Sequence, residues 1–176
     1  MYDVTLNQIH TTHPRNNEWK TLVDTFTYSR LAHEYNLALN PIEVLKVLGF
    51  ESFLRIFSNF TPYRKIFINF ASWASLRNIG ITKQHIPEKL YINMIEALMS
   101  NDIMTLNRNA IFNIYVKMRK TTRFSHICRA LYAAATVGTD TVASLDASAR
   151  ASFDYELERT IQEQELFYIL KEATNQ

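Results

Sequence analysis

The chain is poor in the residues that build stapled domains, phosphate loops and hairpins. Its one cysteine, Cys128, has no partner for an internal disulfide, and a lone thiol suits a reducing compartment. There are three glycines, Gly49, Gly80 and Gly138, standing far apart. A phosphate-cradling loop needs several close together, so none is expected. No Asn-Gly or Asp-Gly pair marks a tight hairpin, and no alternating apolar run is bounded by turn residues, so strands are not expected either. No uncharged apolar run approaches the ~20 residues of a membrane span. The opening MYDVTLNQIH lacks the basic-then-apolar pattern of a secretory signal. These absences point to a cytoplasmic protein.

Reactive chemistry is also thinly represented. His10-x-x-His13 lies in a polar stretch without a cysteine or carboxylate at ligand spacing, and His33, His85 and His126 are scattered. No metal and no cofactor are expected. Ser125-His126-Ile127-Cys128 places a thiol near an imidazole in sequence, but residues i and i+2 of a helix face different directions. Cys128 reads as a small buried hydrophobe. No catalytic residue is assigned, and the chain is not read as an enzyme.

What is present is apolar mass at helical spacing. The 176 residues are 47% hydrophobic, enough to bury about 70% of the unfolded surface without a staple. Asn40-Pro41 and Thr61-Pro62 are cap-then-proline starts, and each glycine follows a periodic run as a helix stop does. Helices are expected at 17–38, 41–48, 51–59, 62–78, 87–99, 102–119, 122–137 and 140–173. Large residues wrap 62–78, which makes it central. The fold class is therefore all-α: a single bundle of seven or eight helices over residues 16–176. It is preceded by a polar segment, 1–15, expected to be extended or mobile.

Residues 129–153 carry mostly Ala, Ser, Thr and Val around Gly138. Alanine keeps such a stretch helical. Small side chains let two axes approach the lower end of the usual ~8–10 Å range. The expectation is an antiparallel helical hairpin turning at Gly138. Asp146 points toward its apolar side, with Arg123 or Arg129 across the hairpin as the expected partner.

The net charge of +2 hides a division at the same glycine: residues 1–138 carry a net +7 and residues 139–176 a net −5. In the last helix Ala149, Phe153, Leu157, Ile161 and Tyr168 share one side, taken as the core face. Beside it run Asp154, Glu158, Glu165 and Glu172, an acidic stripe roughly 27 Å long at 1.5 Å per residue. These four are the candidate partner-binding residues. The basic residues Lys117, Arg119, Lys120 and Arg123, with Phe124 nearby, are candidates for gripping nucleic acid. The same charges also suit a solvated helix end.

LGFESFLRIF at 48–57, Pro-Tyr-Arg-Lys at 62–65, IPEKLYINMIEAL at 86–98, the Ala-rich hairpin and LERTIQEQELFYIL at 157–170 follow one another in order. This order resembles a family of bacterial immunity proteins associated with polymorphic toxins. The family has a denser alanine array, interrupted here by Thr136-Val137-Gly138-Thr139, and the resemblance does not extend to the first 47 residues. It implies a small helical protein that neutralises a protein effector (toxin, nuclease or defence complex) by stoichiometric binding, as an immunity protein or an anti-CRISPR-like phage inhibitor. The alternative is a nucleic-acid-binding helical protein using 117–129.

Overall fold

A computed structural model describes residues 3–31, 33–58, 60–84, 86–99, 141–152 and 154–174, together with 113, 116 and 126. The described residues form α1 (Leu6–His10), α2 (Asn16–Phe26), α3 (Pro41–Leu48), α4 (Phe50–Phe57), α5 (Arg64–Asn78), α6 (Glu88–Met99), α7 (Thr141–Ala151) and α8 (Tyr155–Thr174). Short 3-10 turns lie at Glu34–Asn36, Thr61–Tyr63 and Ile79–Thr82. Among them there is no strand, only an isolated antiparallel bridge between Val4 and Leu39. The all-α class expected from the helical periodicity is what folds. Contacts group the residues into two compact units, Met1–Tyr63 with Glu165–Gln176, and Arg64–Gln164.

In the first unit the amino-terminal segment is not extended, contrary to expectation. Thr5 and Gln8 form a capping box. Gln8 N–H donates to Thr5 Oγ1 at 3.2 Å, and Thr5 N–H donates to Gln8 Oε1 at 2.9 Å. Two otherwise orphaned donors are satisfied, which lets a one-turn helix begin. Leu6 and Ile9 then enter the core with no exposed area. Val4 is pinned by the bridge, with Leu39 N–H donating to its carbonyl at 2.7 Å. Burial of three apolar side chains offsets the entropy of ordering the segment.

The helix expected over 17–38 stops at Phe26. Thr21, Thr25 and Thr27 each donate a hydroxyl to the carbonyl four residues earlier, a local bond that competes with helix continuation. Thr27 is extended, and Arg30 takes a left-handed φ of 56°. Ser29 donates through its N–H and hydroxyl to the Glu34 carboxylate. The hydroxyl bond, opposed by burial and helped by the backbone N–H groups, holds the Glu34 carboxyl below its ordinary range. The loop so formed leaves Tyr28, Leu31 and Leu37 exposed.

α3 starts where the Asn-Pro pair predicts. The Asn40 side chain accepts from Ile42 N–H at 2.9 Å. Gly49, at φ 75°, supplies the left-handed residue that separates α3 from α4. α4 delivers Phe53, Leu54, Ile56 and Phe57 to the core without exposure. The rings of Phe53 and Phe57 stack at 4.1 Å, and Tyr63 meets Phe57 edge-on at 5.3 Å. Burial, then the charge of Asp3, pushes the Tyr63 phenol well above its usual range. Buried Glu18 accepts from Arg15 N–H at 2.7 Å and pairs with Arg55.

The second unit is organised by α5. Its most extensive contact with another described helix is with α7, along a seam of small residues. Ala71, Ala74 and Ser75 on α5, and Ser144, Ala147 and Ser148 on α7, are all buried. Ser148 donates its hydroxyl to the Ala74 carbonyl at 2.5 Å, and Asn78 Nδ2 donates to the Ser148 carbonyl at 3.3 Å. Side chains this small permit the close approach that such backbone contacts need. The small-residue arm after Gly138 therefore lies against α5. Of the other proposed hairpin arm, 122–137, only residue 126 lies among the described residues.

The helix expected over 140–173 is two helices. The Ser152 hydroxyl lies 2.7 Å from the Ala149 carbonyl and 2.8 Å from that of Asp154. Asp154 Oδ1 accepts from Leu157 N–H at 3.0 Å, and the Asp154 carbonyl accepts from Glu158 N–H at 3.1 Å. This is N-cap geometry, and it restarts the chain as α8. Asp146 lies on α7 with partners close by in sequence. Among the described residues its partners are Arg150, one turn on at 2.9 Å, and the Tyr155 hydroxyl at 3.0 Å; Arg123 and Arg129, the partners expected from across the hairpin, lie outside the described residues. Burial works to raise the Asp146 pKa. Donation from Arg150 and Tyr155 outweighs that and holds the carboxyl below its ordinary value.

Candidate functional site

α8 carries the candidate partner-binding residues, and the structure gives the four carboxylates different surroundings. Asp154 is the N-cap just described. Glu158 sits one turn further on and is only 5% exposed. It accepts two parallel bonds from Arg77, Nε to Oε1 at 2.9 Å and Nη2 to Oε2 at 3.0 Å. That fork-to-fork arrangement is what a guanidinium does best with a carboxylate. Arg77 also lies over the Trp73 ring at 5.2 Å. Glu165 is half-buried and Glu172 is exposed. The four residues do not form one open stripe. The correction has a simple cause: acidic residues gather in the first turn of a helix to meet its dipole and its unpaired N–H groups. Asp154, Glu156 and Glu158 mark a helix start, a signal the reading of one long helix concealed.

The apolar side of α8 also faces the other way from expectation. Glu158, Gln162, Leu166 and Leu170 follow one another at four-residue spacing and are all buried. Gln162 is fully satisfied for its position: Nε2 donates to the Leu145 carbonyl at 3.1 Å, and Oε1 accepts from Arg159 at 3.1 Å. Leu157 and Tyr168, assigned to the core from the wheel, are 56% and 58% exposed. Ile161 is half-buried. Phe153 lies outside the described residues. Ala149 is buried, but on α7. Tyr168 is flanked at i−3 and i+4 by Glu165 and Glu172. The outer face of α8 is therefore a phenol ring between carboxylates, with Leu157 nearer its start.

No family model, curated protein or solved structure matches the chain.

The remaining candidates fall differently. Lys117, Arg119, Lys120 and Arg123 lie outside the described residues, as does Cys128. His10 packs its ring 4.6 Å from that of Trp19, which meets Tyr35 edge-on at 5.9 Å. Among the described residues no three His, Cys, Asp or Glu side chains converge as a metal site would require, and no helix is long and apolar enough to cross a membrane.

Proposed function

We propose that the chain is a non-catalytic inhibitory binding protein. It neutralises a bacterial effector (a toxin, nuclease or defence complex) by one-to-one protein contact, as the resemblance to immunity proteins implies. The phage anti-defence version of this role uses the same physics. The observation that supports it is the inversion of α8. The inner side of this helix takes a glutamate and a glutamine, whose burial demands complete pairing to offset lost hydration. Its outer side leaves Leu157 and Tyr168 in water, forgoing roughly 1.5–3 kcal/mol for each large apolar side chain that could be buried. A helix arranged so holds apolar surface in reserve for another molecule. Tyrosine is a frequent anchor at protein interfaces. Glu165 and Glu172 beside it favour a basic rim on the partner and speed encounter.

The test is a paired capture with the native chain and with Tyr168→Asp combined with Glu172→Lys, both positions lying away from the buried line. Equal melting temperatures establish that both are folded. The expected outcome is one bacterial protein held at equimolar ratio by the native chain and lost with the double variant. Expressing the native chain then protects cells from that effector. Recovery of the same proteins in the same amounts by both chains refutes the reading.

A further inference from the structure

In the first unit a cleft of about 870 Å³ opens beside α1, within the range of small-molecule sites. Among its described lining residues none is Lys, Arg, Asp or Glu. The lining consists mainly of hydroxyls and amides, and most of these are already fixed by bonds within the chain. The bonding leaves a definite remainder. Asn7 Nδ2 donates to Asn36 Oδ1 at 2.7 Å. One amide oxygen and one amide N–H group of that pair stay available, whichever way the two amides are turned. Thr11 and Thr12 donate their hydroxyl hydrogens to the carbonyls of Gln8 and Ile9, at 2.6 and 2.7 Å. Their oxygens therefore face a ligand as acceptors. Thr5 Oγ1 and Gln8 Oε1 each accept within the capping box, so the Thr5 hydroxyl hydrogen and Gln8 Nε2 are left as donors. Phe60 and Pro62 add an apolar wall, and the Phe60 ring is itself set against Phe57 at 5.2 Å and Tyr63 at 6.3 Å.

A sulfate or carboxylate only accepts, and a phosphate accepts at far more positions than it donates. Such an anion would leave the Thr11 and Thr12 oxygens unmet, and His13 is the one described lining side chain able to carry a positive charge for it. A cationic ammonium only donates and would leave the donors unmet. A group that donates and accepts at once satisfies both sets, as a hydroxyl does. A ring of hydroxyls with one apolar C–H face also matches the Phe60–Pro62 wall. We propose that this cleft is a binding site for a neutral saccharide, independent of the effector-binding role. Because the side chains are held before any ligand arrives, little ordering entropy is lost on binding.

Saturation-transfer NMR on the full chain tests this with maltose, lactose, cellobiose and N,N′-diacetylchitobiose at millimolar concentration, and with inorganic phosphate titrated by chemical-shift mapping. The expected result is transfer to the ring C–H protons of at least one disaccharide and no phosphate response in the cleft. Phe60→Ala is expected to weaken that binding about tenfold or more. Asn36→Asp is the second variant. It preserves size, removes the amide N–H donor and leaves the α1 core untouched, and it is expected to have the same effect with an unchanged melting temperature. No transfer to any of the four sugars overturns the proposal. So does transfer that both variants leave unaltered, or a phosphate response that maps to the cleft.

Discussion

The Arg77–Glu158 pair yields an asymmetric prediction. The Glu158 side chain is 6% exposed and that of Arg77 is 35% exposed. Arg77→Met removes both donors and leaves a carboxylate in a nearly dry site, which costs about 3–5 kcal/mol. Glu158→Gln is gentler. The amide oxygen still accepts from Arg77, and the guanidinium keeps its place over Trp73 and reaches water, so the loss is about 1 kcal/mol. In the double variant no charge is stranded, and its loss falls short of the sum of the single losses. Urea unfolding followed by Trp73 fluorescence in a Trp19→Phe background reads the unit that contains the pair. Equal losses for the two single variants, or a larger loss for Glu158→Gln, would show that burial of the carboxylate does not govern this contact.

Three further outcomes concern the same unit, Arg64–Gln164. Asp154→Ala removes the α8 cap and costs about 1 kcal/mol in thermal melts followed by far-UV circular dichroism, whereas Asp154→Asn, which can still accept from Leu157 N–H, costs almost nothing. Asp146 is held below its ordinary range, so its contribution is complete above about pH 4 and is lost as pH falls through its lower folded value. The stability gap between the native chain and Asp146→Asn, measured by urea titration across acid pH, should close on acidification and stay constant from pH 5 to 7. At the α5–α7 seam, Ala74→Leu drives a large side chain against the bonded Ser148. It destabilises by about 1–3 kcal/mol or more, while Ser148→Ala loses about 1 kcal/mol for its hydroxyl bonds. An Ala74→Leu variant as stable as the native chain would mean the helices are not closely packed there.

Much of the fold was readable because local chemistry and burial agreed. Asn40-Pro41 gave the start of α3, Gly49 its stop, and 62–78 and 87–99 carried enough apolar periodicity to place α5 and α6 within a few residues. Where the reading failed, a short polar signal had been outweighed by a long apolar one. Thr5-x-x-Gln8 has capping-box spacing, but the polar residues around it suggested a loose segment. Its partners Leu39 and the core side chains lie far along the chain, beyond the reach of local pattern. The loop after Phe26 was hidden for the opposite reason: Tyr28, Leu31 and Leu37 look like core, yet three threonine hydroxyls and the Ser29–Glu34 bonds draw the backbone out of the helix.

The candidate site shows why a helical wheel alone does not choose a face. At about 100° per residue, Leu157, Ile161 and Tyr168 cluster on one side of α8, and Leu166 and Leu170 lie nearly opposite. Both sides are apolar somewhere along the helix, so the pattern supports two orientations. What decides between them is polar. Glu158 and Gln162 can be buried only where Arg77, Arg159 and the Leu145 carbonyl wait to receive them, and none of those partners is visible from within the helix. Once the polar pairing fixes the inner side, Leu157 and Tyr168 are left outside by geometry. The exposed apolar face thus follows from satisfied buried polar groups rather than from loose packing. For that reason Tyr168, with Glu165 and Glu172 beside it, is the place to look for a partner.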